Sequence, residues 1–402
     1  MTTNDIFPMQ RPNYLIHILL FVITLATTTA AGAEWIYGLN FIPPEWYADA
    51  KTIAQYKLRS MGWPEFWTGL NFSVPFLMVL TVHEFGHYFT AKANRVRVTL
   101  PYYIPFWFAL QQSIGTMGAF IRIQDPINSR RKYFDIGIAG PLAGFVVALG
   151  LLWYGFTHLP TIDYIFQIHP EYKKYGLRYG EYVTMNLAKG GGSAVAFGDN
   201  LLFWFFKTYV ADPSRLPHPF EMVHYPYLLA GYLSLFFTAL NLIPIGQLDG
   251  GHVLYALIGR KRFNVIAPVL FTAFVFYAGL GFFRISDFAT ADDTAFASQL
   301  WSLALYIGAL FLAFSRINDQ PITALLMALS VILGQLIVSY FFPQAEGYIG
   351  FLVFAVILGR FLGVYHPDTE QEEPLDTRRK VLGWLALLIF ILCFSPKPFI
   401  FS

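Results

Sequence analysis

Nine apolar runs, near residues 14–33, 69–91, 135–157, 226–247, 264–283, 298–315, 321–342, 347–364 and 381–395, leave this chain little choice of architecture. Most approach the ~20 residues that cross a hydrocarbon core of ~30 Å at about 1.5 Å per helical residue. The composition agrees: 56% of the residues are hydrophobic and 13% are charged, against roughly 25% charged in an ordinary soluble chain. The expected fold class is an all-α polytopic membrane protein with about nine transmembrane helices. A formal charge of +2, with Lys and Arg at the ends of apolar runs rather than in one basic stripe, gives no nucleic-acid signal. The single cysteine, Cys393, lies inside an apolar run, so neither an intrachain disulfide nor a cysteine-based metal site can form.

The clusters Lys92/Arg95/Arg97, Arg130/Arg131/Lys132, Arg260/Lys261/Arg262 and Arg378/Arg379/Lys380 orient the spans. Alternating crossings from a cytoplasmic N-terminus put all four on the cytoplasmic side, as the positive-inside rule requires. The first run, Tyr14 to Ala33, ends in Ala31-Gly32-Ala33, which resembles a signal-peptidase site. Its length favours a retained span. The lack of an Arg/Ser-rich transit segment favours a bacterial-type cytoplasmic membrane over an organelle.

The stretch Pro101 to Ile123 is apolar and aromatic but is broken by Pro101, Pro105, Gly115 and Gly118, between two basic clusters of the same side. Non-helical backbone at membrane depth survives only where protein or a water-filled cavity covers it. A short re-entrant β-like loop beside a cavity is expected here, the alternative being a loop lying on the membrane surface. The one long extracytoplasmic loop, His158 to Tyr225, reads as irregular, with a flexible turn at Lys189 to Ser193. Asp199 or Asn200 is expected to cap a short aromatic helix from Leu201 to Val210.

Chemistry enters at His83-Glu84-Phe85-Gly86-His87 on the second span. In H-E-x-x-H, the i,i+4 spacing brings both imidazoles to one helical face with the glutamate beside them, the arrangement of two zinc ligands and a base. Ionisable groups inside an apolar span cost about 2.5–3.5 kcal/mol for a central acidic residue, so they require a polar partner or a metal. Two core histidines satisfied by hydrogen bonds would leave Glu84 unexplained. A catalytic zinc usually takes three protein ligands and keeps one position open. Asp249, just before the basic cluster at Arg260, is at the right depth to be the third. His252 is read as a supporting residue, Asp135 as an N-cap, and Gly137, Gly140 and Gly144 as sites of close helix packing. The remaining histidines, His17, His158, His169, His218, His224 and His366, are scattered and suggest no second metal site.

H-E-x-x-H on one span, followed after further spans by Asn241-x-x-Pro244-x-x-x-x-Asp249-Gly250, resembles the site-2 proteases, a family of intramembrane metalloproteases. The resemblance covers roughly Asn71 to Arg262, including Gly115 to Phe120 and the Gly-Pro-Leu-Ala-Gly run at Gly140 to Gly144. It implies that His83, His87 and Asp249 bind Zn2+, that Glu84 is the general base, and that Asn241 helps hold the scissile region. Read from the residues alone, Asn241 equally suits an interhelical hydrogen bond. No inserted PDZ-like domain is found. The division expected is 1–68, an N-terminal span and extracytoplasmic loop; 69–262, the catalytic core; and 263–402, additional C-terminal helices.

The expected partners are membrane protein substrates and the lipid bilayer. A substrate helix hides its peptide bonds until it unwinds. An exposed strand edge within Gly115 to Arg122, with Gly115, Gly118 and Phe120 as its contacts, could pair with the unwound segment. Two rivals are a metal-ion transporter, which needs ionisable residues on several helices along a path, and a non-catalytic relative that binds membrane partners, against which the intact Glu84 argues.

Overall fold

The computed structural model describes residues 14–56, 59–108, 113–188, 194–289, 292–318 and 320–402. The turn expected at Lys189 to Ser193 lies outside them. The chain folds mainly into helices: α1 (Tyr14–Tyr37), α2 (Leu70–Ala93), α3 (Arg130–Thr157), α4 (Pro226–Asn241), α5 (Asp249–Ile258), α6 (Arg260–Ala278), α7 (Asp293–Phe314), α8 (Pro321–Phe341), α9 (Gly350–Ile357) and α10 (Thr377–Cys393). Their starts follow local chemistry. Pro226 and Pro321 stand at first-turn positions where no N–H is needed, and Asp292 and Asp376 accept hydrogen bonds from the first-turn amides of α7 and α10.

Among the described residues, six helices are long and apolar enough to cross a membrane: α1, α2 with the turn before it, α3, α6, α7 and α8. The other three expected spans are helical but shorter. α4 has 16 residues and α10 has 17, while α9 runs on through a π-type turn to Leu362.

Among the described residues two large hydrophobic cores form. In the first, Phe72 and Phe76 of α2 and Phe134, Leu152 and Phe156 of α3 enclose α4, whose Leu228, Leu229, Tyr232 and Leu233 are buried. The second gathers Phe263 and Phe271 of α6, Leu310 and Phe314 of α7, and Ala328 of α8. α10 returns to the first, where Ala386, Ile389 and Cys393 are buried.

β1 (Tyr102–Phe106) and β2 (Gly115–Phe120) form an antiparallel hairpin with Tyr102 opposite Phe120 and Phe106 opposite Gly115. Val98 bridges Ile123, so the segment enters and leaves at one place. α1 holds it: Thr27 Oγ1 donates to the Gly115 carbonyl at 2.7 Å, and Trp35 Nε1 donates to that of Ser113 at 2.8 Å. Gly115 has φ +84°, and an added Cβ would overlap the α1 backbone at Thr28. Only glycine fits there.

The basic clusters meet at one end of the bundle. Arg130 and Arg131 donate to carbonyls of Glu372 and Pro374, and Arg260 pairs with Asp368. Asp135 is not an N-cap, because α3 begins earlier, at Arg130; its carboxylate instead takes two 2.7 Å bonds from Arg379. The described residues of the 158–225 segment also form more regular structure than an irregular loop. Its short helices Asp163–Ile168 and Tyr179–Ala188 pack around Ile165, Tyr172, Tyr179 and Val183, because the tyrosines supply enough apolar ring area for a small core. Asn200 caps the helix Leu201–Phe205 through Oδ1, which accepts from the Phe203 amide at 2.8 Å. β3 (Val195–Phe197) then pairs antiparallel with β4 (Phe399–Phe401).

Candidate metal centre and cleft

α2 is continuous through His83 and His87, so the two imidazoles lie one turn apart on its buried face, with Nε2 atoms 3.0 Å from each other. α3 passes directly over them. A Cβ on Gly140 would overlap the His87 ring, and one on Gly144 would lie 3.1 Å from the His83 Cβ. The glycines expected to serve helix packing thus also make room for the imidazoles.

Asp249 arrives from the opposite side as the first residue of α5. The chain leaves α4 at Asn241, turns through Gly246 at φ +62°, and re-enters helix where Gly250 and Gly251 lie against the carbonyls of Leu242 and Gly246. Any side chain at those two glycines would push α5, and Asp249 with it, away from α2. Asp249 Oδ2 stands 3.4 Å from His83 Nε2 and 3.3 Å from His87 Nε2.

These donors suit a metal ion. A tetrahedral zinc with ligands at about 2.0–2.1 Å requires donor atoms roughly 3.3 Å apart, and the three separations bracket that value. His87 Nδ1 lies 2.7 Å from the Ile136 carbonyl, which can only accept, so in the neutral ring Nδ1 carries the proton and Nε2 presents its lone pair. All three groups gather on the wall of a cleft of about 460 Å3.

Glu84 is buried beside them, 4.0 Å from His83 Nε2. Asn241, at the end of α4, brings Nδ2 to 3.5 Å from His83 Nε2. Gly118 and Phe120 line the same cleft. Gly118 has φ +108° with open space where a Cβ would be. Gly115 does not reach the cleft; it faces α1. Among the described residues no strand pairs with the second edge of β2. His252 lines the cleft but stays out of the donor triangle, with Nδ1 2.8 Å from His366 Nε2 and its ring against Tyr133.

The model of peptidase family M50 matches residues 71–286, more than half of the chain. The chain belongs to this family. The likeness to site-2 proteases drawn from the two motifs is thereby borne out. Among M50 relatives, "Probable zinc metalloprotease EGY2, chloroplastic" of Oryza sativa subsp. indica is 28% identical over 183 residues, 46% of this chain and 28% of that protein. "Probable zinc metalloprotease EGY1, chloroplastic" of Arabidopsis thaliana is 23% identical over 254 residues, 62% of this chain and 40% of that protein. The chain thus spans well under half the length of these curated relatives. No solved structure matches it.

One feature escaped the sequence. His169 and His224, counted among the scattered histidines, come together with Glu221 into a second group of metal-type donors. Fifty-five positions separate the two histidines, with no short motif to join them.

Proposed function

We propose that this M50 member is an intramembrane zinc metalloprotease that hydrolyses peptide bonds of membrane-spanning or membrane-proximal proteins. The observation that carries the reading is the donor triangle of His83, His87 and Asp249, with Glu84 beside it, on a cleft bordered by an unpaired strand edge.

His83, His87 and Asp249 hold the ion, which when bound supplies Lewis acidity toward a water and the scissile carbonyl. Glu84 takes the proton of the attacking water and delivers it to the leaving amide nitrogen. Asn241 steadies the scissile segment from the end of α4. β2 offers backbone groups along its free edge to an unwound substrate, and Gly118, lacking a side chain, permits close approach; Phe120 covers the paired segment. Residues 69–262 would form the catalytic unit, with 1–68 and 263–402 around it.

We read the three shorter helices as crossings too, nine in all. α4 is enclosed by protein for most of its length, so its 16 residues need not match the thickness of lipid. The hairpin would then be re-entrant, covered by α1 and α2. The gathering of the basic clusters supports an orientation with that end cytoplasmic, as in a bacterial-type inner membrane.

The test compares native protein with Asp249→Ala and Glu84→Gln, by zinc content in detergent and by cleavage of single-span reporters in proteoliposomes. Asp249→Ala should lose one equivalent of zinc and all cleavage, whereas Glu84→Gln should keep its zinc and lose cleavage. Undiminished zinc in Asp249→Ala, or native cleavage by Glu84→Gln, would overturn the assignment.

A further inference from the structure

Beyond the far end of α4 from the cleft, His169, Glu221 and His224 form a triangle of their own. His169 Nε2 and His224 Nε2 are 3.3 Å apart, and Glu221 Oε2 lies 3.5 Å from the first and 3.3 Å from the second. Glu221 and His224 share one 3-10 turn, Pro219–His224, which leads into α4, and His169 ends the short helix Asp163–Ile168. At about 1.5 Å per residue, the 16 residues of α4 set this group roughly 24 Å from Asn241.

The opposite side of each donor is already occupied. His224 Nδ1 lies 2.8 Å from the Ile36 carbonyl at the end of α1, and His169 Nδ1 lies 3.2 Å from Glu171 Oε1. Both partners accept, so each neutral ring carries its proton on Nδ1 and turns a lone pair inward from Nε2. Tyr172 Oη donates to Glu221 Oε1 at 2.9 Å, leaving Oε2 buried without a hydrogen-bond partner. Glu221 is only 4% exposed. With both rings neutral and Glu221 ionised, three electron-rich atoms converge with no proton between them, an arrangement that costs free energy unless a cation lies among them.

We propose that His169, Glu221 and His224 are a second transition-metal site, of a zinc-binding kind. Two imidazoles and one carboxylate are a zinc donor set, and their separations match the roughly 3.3 Å that tetrahedral coordination at about 2.0–2.1 Å demands. A cavity of about 360 Å3, which Trp35 and Tyr182 help to line, adjoins the three side chains and leaves room for a fourth ligand. The ion would pin the end of the helix Asp163–Ile168 to the turn before α4 and, through the His224–Ile36 bond, to the end of α1.

The experiment measures metal per chain on tag-free protein in detergent, loaded with Zn2+ and dialysed. Native protein should hold two equivalents, His224→Ala one, Asp249→Ala one, and the double variant none. Glu221→Gln, which keeps the side-chain shape, should also hold one and gives the same readout should His224→Ala fail to elute as a single species. Co2+ loading of Asp249→Ala should give visible absorption that is lost on adding Glu221→Gln. One equivalent in the native protein, lost with Asp249→Ala, would overturn the second site. So would two equivalents that persist in both His224→Ala and Glu221→Gln, since the extra ion would then sit elsewhere.

Discussion

The two triangles of this chain have nearly the same donors and nearly the same size, yet they stand in different surroundings. His83 and His87 are spaced i,i+4 on a long helix, with Glu84 between them and, across the cleft, a strand edge unpaired among the described residues. Glu221 and His224 sit on a 3-10 turn, and His169 comes from a distant helix end; the groups bonded to these donors are the carbonyl of Ile36, the hydroxyl of Tyr172 and the carboxylate of Glu171. A metal-binding triangle alone does not make a hydrolase. What distinguishes the first is a buried carboxylate, Glu84, on the same helix as both imidazoles, and a strand whose second edge no other described strand pairs with.

The sharpest way to break this comparison is at Glu84. Glu84→Gln should cut reporter cleavage by about 10²–10⁴-fold, the usual contribution of a positioned base, with zinc content unchanged; cleavage within a few-fold of native would erase the difference between the triangles. Tyr172→Phe should weaken zinc at the second triangle by about 10–100-fold, the typical cost of losing a group that orients a ligand, without altering the first. Competition with a chelator of known affinity reads this directly. Asn241→Ala removes about one hydrogen bond and should lower kcat/KM roughly tenfold, with both zinc equivalents retained; loss of an ion would make Asn241 a support for the ligands instead. The smallest effect belongs to Arg379→Ala. Its pair with Asp135 is partly exposed, so a loss of about 1 kcal/mol or less is expected, seen as a small fall in Tm with cleavage unchanged.

How legible each region was in the sequence follows from how local its determinants are. H-E-x-x-H and the Asn241 to Gly250 run are local: helix geometry carries His83 and His87 to one face, and two glycines let α5 begin against the preceding turn. Six of the nine apolar runs correspond, among the described residues, to helices long and apolar enough to cross a membrane, and these could be marked because a crossing demands length and hydropathy together. Asp135 could not be assigned correctly, since its partner Arg379 is 244 positions away. Gly115 shows another limit. Its conformation was needed for the approach of β2 to α1, and a glycine requirement in sequence does not reveal which neighbour imposes it. The second triangle was hidden most deeply, because an irregular segment with its own small tyrosine core decides where His169 points.

The return of α10 to the first core bears on timing. α10, with Ala386, Ile389 and Cys393 buried, packs against α3, α4 and α5, and the hydroxyl of Tyr232 donates to the carbonyl of Pro398. A ribosome delivers these residues after it has delivered His83 and Asp249. The helices that carry these residues must therefore wait, incompletely enclosed, while more than a hundred further residues are made. The newborn chain reaches this packing only when synthesis has passed α10, and a shortened translation product would carry His83, His87 and Asp249 while lacking a helix that packs against α3, α4 and α5.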